Sequence, residues 1–339
     1  MRALRLESPG KLAAVDIPPP GLPGPGEALA AVRRIGVCGT DLHAFSGNQP
    51  FFSYPRILGH ELGVEVLAVG DGVEGLARGD RCSVEPYMNC GRCIACRRGR
   101  PNCCASLRVL GVHADGGMTE QIVVPARKLH RSRALSFEQL ALIETLAIGC
   151  HAVDRARLAA DEFVLVVGAG PIGLSVIQFA LEAASRVIVL DVNAGRLAFC
   201  GRQLGVSHLI DGSREDPAGA LARITGGDMP TAVFDATGSP KSMMASFHYP
   251  SNAGRLIYVG LFQGDVAFND PSFHRRELDL LASRNSLPAD FGRIISLVES
   301  GRIDTSPWVT HRATLEGAAG LFPSWTRPES GVIKAMIEV

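Results

Sequence analysis

Net charge is the first thing this sequence lacks. Thirty-four basic residues offset 34 acidic ones over 339 positions, and no Lys/Arg-rich run appears. Without a positive surplus there is no footprint for a phosphate backbone, so no nucleic-acid partner is expected. An uninterrupted apolar span is missing too. The stretch "FVLVVGAGPIGLSVIQFALEAASRVIVL", residues 163–190, is long enough to cross a bilayer, but Gly168, Gly170, Pro171, Gly173, Gln178, Glu182 and Arg186 interrupt it. Its period changes midway, so it reads as a buried strand, a tight turn, a helix and a second buried strand. No membrane partner is expected. The opening "MRALRLESPGKLAAVDIP" carries charge early and has no apolar core before a cleavage site, which speaks against a secretory signal. Internal repeats and low-complexity tracts are absent. So is an even count of cysteines: there are nine, at 38, 82, 90, 93, 96, 103, 104, 150 and 200. Four crowd into one short cluster, which suits reduced thiols on metal in a cytoplasmic setting better than disulfides.

What is present is the composition of a soluble globular enzyme, 46% hydrophobic and 20% charged, with 38 glycines and a length that suits two domains. The first part is rich in Gly, Pro and short β-like runs: "EALAAVRRIGV", "ELGVEVLAVG", "DRCSVEP" and "EQIVVPARKLH". Each is bounded by turn residues, as in an antiparallel β domain with long loops. From about 160 the pattern alternates. Apolar runs "FVLVVG", "RVIVLD", "HLID", "TAVFDATG" and "RLIYVG" are separated by helical stretches such as "PIGLSVIQFALEAA" and "AGRLAFCGRQLG". That alternation predicts a parallel sheet covered on both faces. After one amphipathic helix, "DFGRIISLVESG", the tail returns to short strands ending in "GVIKAMIEV". The expected fold class is therefore α/β with two domains. Residues 1–144 and 285–339 form a β domain, into which a doubly wound parallel sheet, 145–284, is inserted.

"VLVVGAGPIG" places Gly168, Gly170 and Gly173 in G-x-G-x-x-G spacing after a strand and at the start of a helix. Gly168 allows the tight turn, Gly170 leaves room for a pyrophosphate, and Gly173 permits close helix–strand packing. The helix start, Pro171 and Ile172 onward, turns free N–H groups toward the phosphates. Asp191 ends the next strand, 18 residues after Gly173. An acid there binds the adenosine ribose hydroxyls and repels a 2′-phosphate, so NAD is expected over NADP. Further cofactor contacts are expected at Arg196, against adenine, and at strand ends, where ligands of such sheets bind: Thr237–Gly238, Val259, Gly260 and Leu261, and Asn285 with Arg284.

"CGRCIACRRGRPNCC" holds Cys90, Cys93 and Cys96 at x2 intervals, then Cys103 and Cys104. This predicts a closed four-thiolate site within a lobe of about 88–106, structural because no coordination position stays open. Iron is the chemical alternative to zinc. Spacing alone leaves the fourth ligand open between Cys103 and Cys104. Arg92, Arg97, Arg98 and Arg100 either offset thiolate charge or form a solvated face.

With these features in order, the whole chain resembles the zinc-dependent medium-chain alcohol/polyol dehydrogenases. The resemblance rests on "GVCGTDLH", "GHE", the four-cysteine lobe, "DGGMTEQIVVP", "ETLAIGCHAV" and "GAGPIG" with Asp191. It implies a GroES-like catalytic domain with an inserted Rossmann domain, and two zinc ions per chain. "FSGNQPFFSYPRILGHE" and "SRNSLPADFGRI" are similar to a bacterial sugar-acid branch of the L-galactonate 5-dehydrogenase type. The resemblance implies Cys104 as the fourth structural ligand. A catalytic zinc wants about three protein ligands and one exchangeable position. Cys38 and His60 are two, and Glu144 in "ETLAIGCHAV" matches the third, with Thr145 where the motif usually has Pro. Cys150 and His151 are the competing donors. Glu61 is implied beside the metal as an exchangeable ligand, Thr40 as the first proton acceptor and His43 as the relay to solvent. Cys82 and Cys200 read as packed thiols.

The implied function is carbohydrate oxidation, with hydride passing from a secondary hydroxyl of a polyol or sugar acid to NAD. A simple secondary-alcohol or threonine-type dehydrogenase is the alternative, and a silent NAD-binding relative the remote one. An acidic substrate requires a cation, for which Arg284 and Arg56 are candidates; Phe51, Phe52 and Tyr54 are candidate pocket walls. Relatives pair through an edge strand of the nucleotide domain, here expected at "GDVAFND", so a homodimer or homotetramer follows.

Overall fold

The run Glu27–Val37 holds five consecutive apolar residues, 28–32, before Arg33 and Arg34, and Ala28, Ala30, Ala31, Val32, Ile35 and Val37 are buried. Such an apolar run bounded by charges suits the central strand of the first unit. In the computed structural model, which describes residues 1–50 and 52–339, contacts divide the chain into two compact units. These are Met1–Thr145 with Leu287–Val339, and Leu146–Ser286.

In the first unit a seven-stranded sheet runs in the order Leu129–Ser132, Arg81–Val84, Glu61–Val69, Glu27–Val37, Lys334–Glu338, Val309–Thr314, with Gln121–Pro125 also paired to the central strand. Register breaks at Leu29/Ala30 and Val32/Arg34 bend the long central strand over the core. A smaller sheet of Lys11–Asp16, Arg2–Ser8 and Arg56–Ile57 supplies Leu4 and Leu6 to the same core. Helix Leu315–Trp325 adds Phe322 and Trp325. The C-terminal strand pairs antiparallel with the central one, Ala335 opposite Val37 and Met336 opposite Gly36. A lysine 296 positions along the chain thereby lands beside Cys38 (334 − 38).

The second unit is a six-stranded parallel sheet in the order His208–Asp211, Arg186–Asp191, Phe163–Val167, Ala232–Asp235, Arg255–Tyr258, Asp279–Ala282. In chain order this is 3-2-1-4-5-6, the doubly wound arrangement with its switch point between the first and fourth strands. Val164, Leu165 and Val166 are fully buried, as expected of a strand covered on both faces. Helices Pro171–Glu182, Ala194–Leu204 and Pro217–Thr225 make the crossovers. Asn193 and Asp216 cap the second and third through Arg196 N and Gly219 N, and Gly205 and Gly226 close them in left-handed conformation. The stretch 264–270, expected to pair with a second subunit, forms no strand within its own chain; the sheet's edges are His208–Asp211 and Asp279–Ala282. "GDVAFND" carries Gly and two acids with little β-branched content, so alone it does not extend the ladder. Among the described residues, no helix is long and apolar enough to cross a membrane.

Candidate active site

Cys38 follows the central strand and opens the helix Gly39–Phe45. The turn is held by Asp41, whose Oδ2 accepts the Cys38 N–H at 2.9 Å. Gly59 bends the chain with φ +95°, and a Cβ there would come within 2.9 Å of the Met118 backbone. His60 and Glu61 follow directly, Glu61 at the start of the neighbouring strand. The donor atoms of Cys38, His60 and Glu61 lie within 4.8 Å of one another. Glu144, on helix Phe137–Ala156, is outside that trio but interacts electrostatically with His60 and Glu61. It is buried and accepts a hydrogen bond from the Tyr87 hydroxyl. Cys150 and His151 are not in the set.

Lys334 is 1% exposed and binds both oxygens of fully buried Glu61, at 2.7 and 2.8 Å, with a third bond to Val37 O at 3.2 Å. Asp41 Oδ1 stands 3.8 Å from His60 Nδ1, and both atoms are buried without a hydrogen-bond partner among the described residues. Burial raises the carboxyls of Asp41 and Glu144, against the pull of His60. Burial alone would depress His60 and Lys334. The negative charges of Cys38 and Asp41 hold His60 well above its ordinary value, and those of Glu61 and Cys38 hold Lys334 up. All four directions describe one condition: three carboxylates and a thiol surround a single lysine and a histidine, and the cluster keeps protons for want of positive charge. A divalent cation fits that deficit, and a sulfur–nitrogen–oxygen donor set suits zinc.

The four-cysteine lobe is a second such set. Cys90, Cys93, Cys96 and Cys104 have their sulfurs within 4.8 Å of one another, while Cys103 is exposed and outside the group. Arg92, Arg97 and Arg98 are solvent-facing. The buried cation near these sulfurs is Lys128, which interacts with Cys96 and is paired with buried Glu85; His130 contacts the same acid at 3.2 Å. Thiol chemistry here is testable. Burial pushes Cys82 and Cys200 up to about 12, whereas chiefly the Cys96 backbone N–H brings Cys93 down to about 6. At pH 8 iodoacetamide is expected to alkylate Cys93 early once metal is chelated, to spare it in zinc-loaded protein, and to leave Cys82 and Cys200 unlabelled in both. Peptide mapping that finds Cys82 labelled as fast as Cys93 contradicts this.

In the second unit the glycines divide by cause. Gly168 has φ +93°, and a Cβ on Gly173 would sit 1.7 Å from Gly168 O. Gly170 is in ordinary extended conformation, and a Cβ there would meet only Arg196 Nη1, at 3.7 Å. The protein itself does not require that glycine, so the open space fits a ligand's pyrophosphate. Pro171 and Ile172 begin the helix beneath it. Asp191 accepts Ala169 N at 2.6 Å and Asn193 N at 2.7 Å, tying the glycine turn to the second strand. Thr237 is oriented by Asp235, which accepts its N–H at 2.9 Å and its hydroxyl at 2.6 Å. Gly260 packs on Gly238, the nearest backbone nitrogen 2.5 Å from a built Cβ; Val259 N bonds Asp235 O, and Leu261 is exposed. Asn285 is left-handed, φ +50°.

Of the remaining candidates, Thr40 is half-buried in the first turn of helix Gly39–Phe45 and His43 exposed in its last. Phe52 and Tyr54 meet edge to face at 4.8 Å and pack on the core, Tyr54 donating to Ala44 O at 2.6 Å. Phe51 lies outside the described residues. Arg56 donates to Ser53 Oγ at 2.9 Å and contacts Asp115 at 3.4 Å. Sequence reasoning missed Asp41, Tyr87, Lys334 and Asp235. Two had a local signal: Asp41 stands three positions after the residue preceding its helix, and Lys334 is the lone cation opening an apolar run. Tyr87 and Asp235 had none.

Comparison with known proteins gives the family. The family description "Alcohol dehydrogenase GroES-like domain" matches residues 24–134, and "Zinc-binding dehydrogenase" matches 171–300. L-galactonate-5-dehydrogenase of Escherichia coli K12 is 41% identical over 291 residues, 86% of this chain and 85% of the relative. An Escherichia coli CFT073 alcohol dehydrogenase solved with NADH superposes with TM-score 0.92 at 30% identity, covering 100% of this chain and 99% of that one. A Sinorhizobium meliloti 1021 zinc-binding dehydrogenase bound to NADP gives TM-score 0.92 at 29% identity, with 100% and 99% coverage. The chain belongs to the zinc-dependent alcohol dehydrogenase family, and is an oxidoreductase that works with zinc and a nicotinamide dinucleotide.

Proposed function

We propose that the protein oxidises a secondary hydroxyl of a sugar acid or polyol, L-galactonate-like, with NAD as acceptor. The observation that carries this is the 41% identity to L-galactonate-5-dehydrogenase across 86% of the chain. Cys38, His60 and Glu144 hold the catalytic zinc, Glu61 is its exchangeable neighbour, and Cys90, Cys93, Cys96 and Cys104 hold the structural one. The two cofactors supply Lewis acidity at the substrate hydroxyl and hydride acceptance at the nicotinamide ring. The rest falls to the chain. Asp41 is the charge partner of the His60 imidazole, 3.8 Å from Nδ1, and fixes the Cys38 backbone. Thr40 Oγ1 accepts the substrate's hydroxyl proton as it passes its own on, and exposed His43, one helical turn on, takes that proton to water. Burial of Glu61, His60 and Glu144 excludes solvent from the reacting hydroxyl. Arg56 meets a substrate carboxylate only by giving up Asp115, its present partner.

NAD preference rests on Asp191, a buried carboxylate tied to the glycine turn. Asp191→Ala is expected to raise use of NADP relative to NAD by about tenfold or more, the worth of one charge contact. An unchanged ratio removes Asp191 from discrimination. The nine free thiols favour a cytoplasmic protein, and the exposed edge strand Asp279–Ala282 favours a homodimer or homotetramer. The deciding test is a panel of sugar acids, polyols and simple alcohols followed by NADH absorbance. L-galactonate oxidation far above sorbitol and 2-butanol is expected; equal rates on all three sink the sugar-acid reading.

A further inference from the structure

The four-cysteine lobe is closed by little besides its sulfurs. Its chain holds one four-residue helix, Ile94–Arg97, and one short turn, Pro101–Cys103. Within it only Asn102 and Cys104 are buried. Its stem is the strand pair Tyr87–Met88 and Arg108–Val109, with Tyr87 opposite Val109. The sulfurs sit directly on that stem. Cys90 follows Met88 by two residues, its N–H reaches Cys104 Sγ at 3.3 Å, and the two sulfurs are 3.4 Å apart. Tyr87, on the same two-residue strand, is 3% exposed and donates its hydroxyl to Glu144.

The stem of one metal site therefore grips an acid of the other. With its four sulfurs no longer tied to one ion, the lobe loses what closes it, so the stem is freed to move and with it the Tyr87 hydroxyl. Glu144 then loses the donor that orients it. We propose that Tyr87 is a positioning residue that couples the two sites, making metal retention at Cys38, His60 and Glu144 depend on an intact four-cysteine lobe. The inference rests on the reading of Glu144 as a catalytic-zinc ligand. It assigns the lobe a second task besides stabilising the fold.

The test follows zinc leaving full-length, zinc-loaded protein for a colorimetric chelator. Two ions per chain are expected in two phases, with the catalytic phase identified by its absence in Cys38→Ala. Partners behind a metal ligand typically govern about 10- to 100-fold in retention. Tyr87→Phe is expected to speed the catalytic phase by that factor, leave the lobe phase unchanged and keep the melting temperature near wild type. Cys93→Ala, which opens the lobe, is expected to speed the catalytic phase in the wild-type background and to add nothing further in Tyr87→Phe.

Catalytic release at the wild-type rate in Tyr87→Phe overturns the proposal. So does a Cys93→Ala acceleration of equal size with Tyr or Phe at 87. If Cys93→Ala fails to accumulate, the Tyr87→Phe arm decides alone. A wild-type chain that binds only the lobe zinc overturns the reading of the catalytic site instead, so the two failures are distinct.

Discussion

Alanine at Cys38 is expected to lower kcat/KM by about a thousandfold or more while the protein stays folded. Cys38 is half-buried at a helix entry where Asp41 accepts its backbone N–H. The substitution removes one small side chain and leaves that turn in place. What it removes chemically is one of three close donors and the thiolate that balances a dication. Lewis-acid stabilisation of a developing alkoxide contributes several kcal/mol, and each 1.36 kcal/mol is a factor of ten in rate. Elemental analysis should show zinc falling from two per chain to one, with the thermal transition little changed. Turnover at the wild-type rate would end the zinc mechanism.

Methionine at Lys334 is expected to have the largest effect on stability. Methionine fills nearly the same volume but leaves Glu61, at 0% exposure, without its cation, beside Glu144 and Asp41. Breaking a buried ion pair at one end typically costs about 3–5 kcal/mol, because the surviving charge stays desolvated. For a unit of this size that lowers the melting temperature by roughly 10 °C. Adding Glu61→Gln should restore most of the loss, since removing both ends removes the uncompensated charge. Calorimetry that finds Lys334→Met as stable as wild type would show that the buried pair contributes nothing to stability. A metal that took Glu61 as a ligand would have to compete with its two hydrogen bonds to Lys334.

The parallel sheet was legible because each strand is a continuous apolar run between turn residues, a pattern that burial on both faces imposes. The glycine turn was legible because its three glycines have separate local causes. "GDVAFND", after the fifth strand, pairs with no strand of its own chain. Lys334 escaped notice. A lysine at the start of an apolar strand reads as a solvated end, and only the strand's antiparallel pairing with Glu27–Val37 buries it.

By itself the sequence determined the class of protein: two domains, a dinucleotide turn, a four-thiolate lobe, and Cys38 and His60 as donors. The dinucleotide turn and the lobe are short-range features whose spacing along the chain sets their geometry, whereas Cys38 and His60, on elements joined by strand pairing, were named through the resemblance. Tertiary structure alone decided two contacts. It paired Lys334 with Glu61 and carried Tyr87 to Glu144. Each of these contacts joins strands or helices far apart in the chain, and the register that brings them together follows from burying the shared core, to which no local pattern is privy.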